Sequence, residues 1–108
     1  MNYLANYHCH THFSDGKQSI DQYVKKALQN KMQAIGFSDH APVQLDCDWT
    51  MPLDKLPDYL AQIKEAKLTY QGQIEVFTSL EVDYIPGLIS LQTDYIKEVE
   101  LDYTIGSV

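Results

Sequence analysis

Segments with helical periodicity alternate with short apolar runs along the whole chain, and no other feature limits the fold so tightly. The opening "NYLANYH" is short and aromatic-rich, so Tyr3–Tyr7 reads as a strand whose C-terminal end delivers His8. From Ser19 the period changes. Ile20, Tyr23, Val24, Ala27 and Leu28 recur at helical spacing, and Ser19 with Gln22 three residues on makes a capping box, which predicts a helix from Ile20 to about Lys31. A second strand, Gln33–Phe37, ends at Ser38-Asp39-His40 and runs into a twelve-residue loop, Ala41 to Pro52, that carries two prolines and the only tryptophan, Trp49. Leu56, Tyr59, Leu60, Ile63, Ala66 and Tyr70 then mark one face of a second helix, with Pro57 tolerated in its first turn and Gly72 near its end. "IEVFTSLEVDY" gives a third strand that ends at about Leu80 and delivers Glu81. A third helix from Gly87 to about Val99 and a fourth strand in "DYTIGSV" complete the order β-α-β-α-β-α-β.

Strands alternating with helices specify an α/β fold with a parallel sheet and right-handed crossovers. At 108 residues the chain has room for one domain. Its polar residues share a location: His8 and His10 follow strand one, His40 follows strand two and Glu81 follows strand three. The carboxyl edge of a parallel sheet is where sites are built, because the loops there are free to carry chemistry.

These residue types suggest metal binding. In extended chain, residues i and i+2 project from one side, so His8 and His10 can offer two imidazoles to one ion while Cys9 points the other way. Glu81 can bridge a pair of ions, and Asp15 with His40 can serve a further one. A set rich in histidine and carboxylate and poor in cysteine suits Zn, Mn or Fe better than Ca or Mg. Clusters of this kind activate water for hydrolysis, often of phosphate esters.

Charge and targeting features narrow the partners. Eight Lys and Arg against fifteen Asp and Glu give a net charge of −7, and no basic cluster exceeds Lys25-Lys26, which argues against nucleic acid. The N-terminus lacks a basic flank and an apolar run of signal-peptide length, and no segment is long enough to span a bilayer, so a cytoplasmic protein with no membrane contact is expected. Cys9 and Cys47 form no CxxC, and reduced thiols are expected.

"NYHCHTHFSDG", "GFSDHAP" and "LEVDYIPG" resemble, in this order, the successive metal-binding motifs of the polymerase and histidinol phosphatase (PHP) superfamily, most closely its monofunctional histidinol-phosphatase branch. The resemblance covers nearly the whole chain. It implies that His8, His10 and Glu81 serve a first metal, that Glu81 bridges to a second, and that Asp15 and His40 serve a third. The ions would be Zn, Mn or Fe, up to three in a complete site. The family fold is a distorted, TIM-like barrel of seven βα units, of which residues 1–108 would supply about four, the N-terminal part. Family members continue "IGSV" with a histidine ligand, then further histidines and basic residues that grip phosphate, so a chain cut before the next ligand is expected. The open barrel edge this leaves would favour self-association.

The implied function is a metal-dependent phosphomonoesterase that hydrolyses histidinol phosphate, a small phosphate ester, in histidine biosynthesis, with His8, His10 and Glu81 acting through the metal. Another PHP phosphoesterase, acting on phosphotyrosine or nucleotides, and a non-catalytic metal-binding fragment are the alternatives. Single residues carry plainer readings beside these. His12 continues the alternation but sits at a position the family varies, which suits a structural or substrate-side residue. Asp15 precedes Gly16 and could merely shape a turn. Asp39 suits orienting His40 or capping a loop, and Asp83 has no role the family supplies. Cys9 suits packing behind the strand as a small hydrophobe. Trp49 could cover the core or a bound substrate.

Overall fold

The computed structural model describes residues 4–42, 49–83 and 99–107. Its elements follow the expected alternation: β1 (Ala5–Cys9), α1 (Ile20–Gln29), β2 (Ala34–His40), α2 (Leu56–Thr69), β3 (Glu75–Asp83) and β4 (Tyr103–Ser107), with a 3-10 turn at Leu53–Lys55 leading into α2. The helix expected from Gly87 lies, as far as residue 98, outside the described residues, as does Cys47.

All four strands run parallel in the order β1-β2-β3-β4. β2 and β3 pair without interruption from Ala34 opposite Glu75 to His40 opposite Glu81. This pairing moves the strand ends from where composition sets them. The expected strands stop at Tyr7, Phe37 and Leu80, whereas β1, β2 and β3 continue to Cys9, His40 and Asp83. Polar residues remain in strand geometry there because a neighbouring strand satisfies their backbone groups. His8 and Glu81 thus lie within strands, and His40 is the last residue of its own.

One irregularity breaks the β1–β2 ladder. Asn6 pairs with Ile35 and Cys9 with Phe37, so Tyr7 and His8 together stand opposite Gly36 alone. That is a β-bulge. Strict alternation would send adjacent residues to opposite faces. Here Tyr7 meets Phe77 and Tyr103 while His8 meets Glu81, so both serve the same, concave face. The sheet is curled enough that the Tyr103 hydroxyl of β4 donates to the Tyr7 carbonyl of β1.

The other face carries the helices. Ser19 accepts from the Gln22 backbone N–H at 3.2 Å and Gln22 returns the bond to the Ser19 N–H at 2.9 Å, the capping box expected. α1 ends two residues sooner than expected. Lys31 adopts a left-handed backbone (φ 60°), and the Met32 N–H closes on the Ala27 carbonyl at 2.9 Å, a Schellman stop without glycine. Ile20, Val24 and Ala27 of α1 and Leu56, Tyr59, Ile63 and Ala66 of α2 pack on Ile35, Phe37, Val76 and Leu80. Cys9 joins this core, away from the histidines on either side of it. Among the described residues no helix is long and apolar enough to cross a membrane.

Candidate metal centre

Three strand termini and one loop bring five donor side chains together on the concave side. His8 Nε2 contacts Glu81 Oε1. His10, just past β1, places Nε2 3.5 Å from the same oxygen and Nδ1 2.7 Å from Asp15 Oδ1. His40 closes the ring, with Nδ1 3.0 Å from Glu81 Oε2 and Nε2 3.1 Å from Asp15 Oδ2. Two groups of donor atoms emerge, each compact enough for one ion: His8, His10 and Glu81, then His10, Asp15 and His40. The imidazoles follow one another edge to face, His8 to His10 at 4.8 Å and His10 to His40 at 4.6 Å.

Glu81 is the hinge between the groups. Only 6% exposed, it directs one oxygen toward His8 and His10 and the other toward His40. A carboxylate so buried is costly without cationic or hydrogen-bonding partners. Asp15 is more open. Burial works against its charge, but the hydrogen bond with His10 and the nearby His10 and His40 rings outweigh it, and its pKa falls below the ordinary carboxylate value.

The segment carrying His10 and Asp15 is fixed from below by Asp39. That fully buried carboxylate accepts from the Thr11 N–H at 2.6 Å, the Thr11 hydroxyl at 2.9 Å and the Ser14 hydroxyl at 2.6 Å. Ser14 Oγ in turn accepts from the His40 N–H at 3.1 Å. Burial raises the Asp39 pKa against the opposing effect of these bonds. Gly16 closes the turn by close approach, its N–H 2.8 Å from the Thr11 carbonyl. A Cβ there would collide with the His10 carbonyl. On the core side, the Tyr59 hydroxyl donates to the Ser79 carbonyl at 2.7 Å and accepts from the Asp39 N–H at 3.3 Å, bridging β2 and β3 just below the centre.

The donor set fits a divalent metal. His10 Nε2 is buried, aimed at the cluster and, among the described residues, without a hydrogen-bond partner, as a ligand nitrogen would be. Imidazole nitrogens with carboxylate oxygens and no thiolate suit Zn, Mn or Fe. Cys9 is excluded by its place in the core and by its thiol pKa, which burial and then the Asp39 charge push up to about 12.

The PHP domain family matches residues 6–108. This chain belongs to the PHP family. It is 31% identical over 111 residues to a protein of Deinococcus radiodurans named a probable histidinol-phosphatase, covering all of this chain and 43% of that one. It is 33% identical over 87 residues to the histidinol-phosphatase of Bacillus subtilis, covering 72% of this chain and 32% of that one. A crystal structure of histidinol phosphate phosphatase from Lactococcus lactis, complexed with zinc, L-histidinol and phosphate, superposes with a TM-score of 0.85 at 24% identity, over 97% of this chain and 40% of that one. The curled parallel sheet of the PHP chain is therefore a half-barrel, and the chain spans less than half the length of these relatives.

All five residues that the sequence marks as ligands meet in the PHP half-barrel. His12 does not join them. It is exposed and its ring lies 4.8 Å from that of Phe13, beside a groove lined by Pro52, Lys55, Asp58 and Gln62. Trp49 stands edge-on to His40 at 5.1 Å and remains 40% exposed, so it covers the centre and not the core. Of the two readings of Asp39, the structure gives the loop cap. Thr11 and Ser14 lie within the motif "NYHCHTHFSDG" but are given no role by it, and Tyr59 reads as one more apolar position on α2.

Proposed function

We propose that this cluster holds divalent metal ions for hydrolysis of a phosphomonoester, histidinol phosphate, within a cytoplasmic enzyme of histidine biosynthesis. The observation that carries the reading is Glu81, a buried carboxylate whose two oxygens face three imidazoles. The names of the Deinococcus and Bacillus relatives, and the zinc, histidinol and phosphate in the Lactococcus structure, support the substrate class.

His8, His10 and Glu81 would hold a first ion, Glu81 would be shared with a second, and Asp15 with His40 would hold a third, His10 belonging to both compact donor groups. When bound, such ions lower the pKa of water and neutralise phosphoryl oxygens. The chain's residues set the geometry. Glu81 keeps the two donor groups at a fixed separation, Asp15 orients His10 and His40 through its two oxygens, and Asp39 holds the Thr11–Ser14 turn that carries Asp15. Trp49, over His40, limits access of water from that side.

A second and third ion with one or two protein ligands would be held weakly. The remaining length of the relatives is thus read as the source of the missing ligands and of cations for the phosphate. The uncovered edges of β1 and β4, the outer strands among the described residues, also support self-association. A phosphate-release assay tests the function. The 108-residue chain should release no detectable phosphate from histidinol phosphate with excess Mn or Zn, and a chain extended to the relatives' length should. Release by the long chain only from a phosphotyrosine peptide or a nucleotide would remove the substrate assignment and leave the metal centre standing.

A further inference from the structure

The β1 bulge is what allows His8 to face Glu81 while its neighbour Tyr7 faces the same side, and three groups hold it in place. Asn6 Oδ1 accepts from the His8 N–H at 3.0 Å. From the other end of the chain, the Tyr103 hydroxyl donates to the Tyr7 carbonyl. Between them sits Gly36, the single residue opposite the bulge. A Cβ on Gly36 would collide with the Tyr103 hydroxyl and lie 3.2 Å from Tyr7 Cα. The ring of Tyr103 meets that of Tyr7 edge-on at 6.2 Å, and Tyr7 leans on Phe77 at 5.8 Å.

We infer that Tyr103, seated over Gly36, is a positioning residue for the metal centre: it pins the bulge that turns His8 toward Glu81. The same strand that carries Tyr103 also borders Glu81, since Ser79 pairs with Tyr103 and Glu81 with Ile105. β4 therefore sets the register of Glu81 through its backbone and the place of His8 through one hydroxyl. Bulges beside functional sites commonly re-aim a side chain in this way. Removing the hydroxyl leaves the aromatic packing intact but frees the Tyr7–His8 peptide to relax toward regular pairing, which would turn His8 away from the cluster. Replacing Gly36 has the same consequence from the opposite side, because the hydroxyl loses its seat. The inference rests on the metal reading above for its consequence, not for its geometry.

Two measurements on the full chain separate the two. In the metal-free protein, amide exchange of residues 6–9 followed by NMR should be about tenfold faster in Tyr103→Phe than in the wild type, the effect of losing one hydrogen bond that restrains the segment. Val24 and Ile63 amides, inside α1 and α2, should be unchanged and report that the variant is folded. Asn6→Ala, which releases the bulge from its other side, should act on the same amides. In a zinc titration, Tyr103→Phe should weaken binding about tenfold, as loss of a group that orients a ligand does. Unchanged exchange at residues 6–9 in Tyr103→Phe overturns the pin, whatever Asn6→Ala does. Faster exchange with unchanged zinc affinity overturns its role in the site. A Glu81→Gln variant that binds zinc as tightly as wild type overturns the metal reading instead, and leaves the exchange result to decide the pin.

Discussion

Asp39 and His40 are adjacent in β2 and face opposite ways: the imidazole of His40 lies in the donor cluster, 3.0 Å from Glu81 Oε2, while the carboxylate of Asp39 is buried beneath the Thr11–Ser14 turn. One dipeptide thus supplies both a donor to the cluster and the anchor of the loop that brings the opposing donor, Asp15. Asp39→Ala should leave the buried Thr11 N–H and hydroxyl without this acceptor and the half-buried Ser14 hydroxyl with only Asp15 Oδ1, at 3.4 Å, and should destabilise the chain by about 2–4 kcal/mol. Asp39→Asn, which keeps the shape and one acceptor oxygen, should cost about 1–3 kcal/mol. Urea unfolding of the metal-free chain measures both, and equal stabilities would show that the turn is held by something else.

Glu81→Gln should sharply lower the zinc or manganese retained by a metal-loaded sample, since the amide removes the charge shared by the two donor groups. His12→Gln should change retention little, because that ring packs against Phe13 outside the cluster. Elemental analysis after gel filtration compares them, and equal losses would mean that the histidine register is shifted by two.

Away from the centre, Asp102 ties the start of β4 to β3 and α2. Its Oδ2 accepts from the Thr78 N–H at 2.7 Å and from Lys67 Nζ at 2.9 Å. Burial opposes the charge, but the bond from Thr78 and the Lys67 ammonium prevail, and the pKa lies below the ordinary carboxylate value. A folded-state pKa depressed in this way stabilises the fold above the unfolded value, about 3.9, and the contribution disappears as pH falls through the folded value. The stability gap between wild type and Asp102→Asn should therefore be constant from about pH 7 to pH 5 and close below about pH 4. Because the pair is more than a third exposed, the gap should also shrink in high salt. Thermal melts across this range test the sign.

Cys9, buried in the core with a thiol pKa of about 12, should be inert to thiol reagents in the native state. In a Cys47→Ser background, a disulfide-exchange reagent at neutral pH should titrate no thiol until denaturant is added. Reaction at the rate of a free cysteine would place Cys9 on the exposed side of β1 and reverse the facing of His8 and His10.

Much of this was legible from residue order. The alternation of periods gave the parallel sheet, and four of the five clustered donors, His8, His10, His40 and Glu81, were marked by their place at three strand ends, with Asp15 in the loop beyond the first. The strand boundaries were not legible, because composition marks Ser38-Asp39-His40 and Glu81 as polar while pairing with a neighbour keeps them extended. The bulge at Tyr7–His8 was invisible for a related reason. It depends on Gly36 and Tyr103, which are 29 and 96 residues from Tyr7, and on Asn6, which nothing in the sequence distinguishes from an ordinary strand residue. Asp39 was legible as a supporting residue, but its partners Thr11 and Ser14 were not, since hydroxyls acquire that role only when the chain folds back over them.

X-ray absorption at the zinc edge of the loaded chain tests most directly whether these side chains form a metal centre. His8, His10, Asp15, His40 and Glu81 as ligands require a first shell of nitrogen and oxygen at about 2.0–2.1 Å, with the outer-shell scattering of imidazole and no sulfur. The imidazole signal should fall in His10→Gln, whose ring serves both donor groups. A sulfur shell at about 2.3 Å, or a spectrum unchanged by His10→Gln, would contradict the centre described.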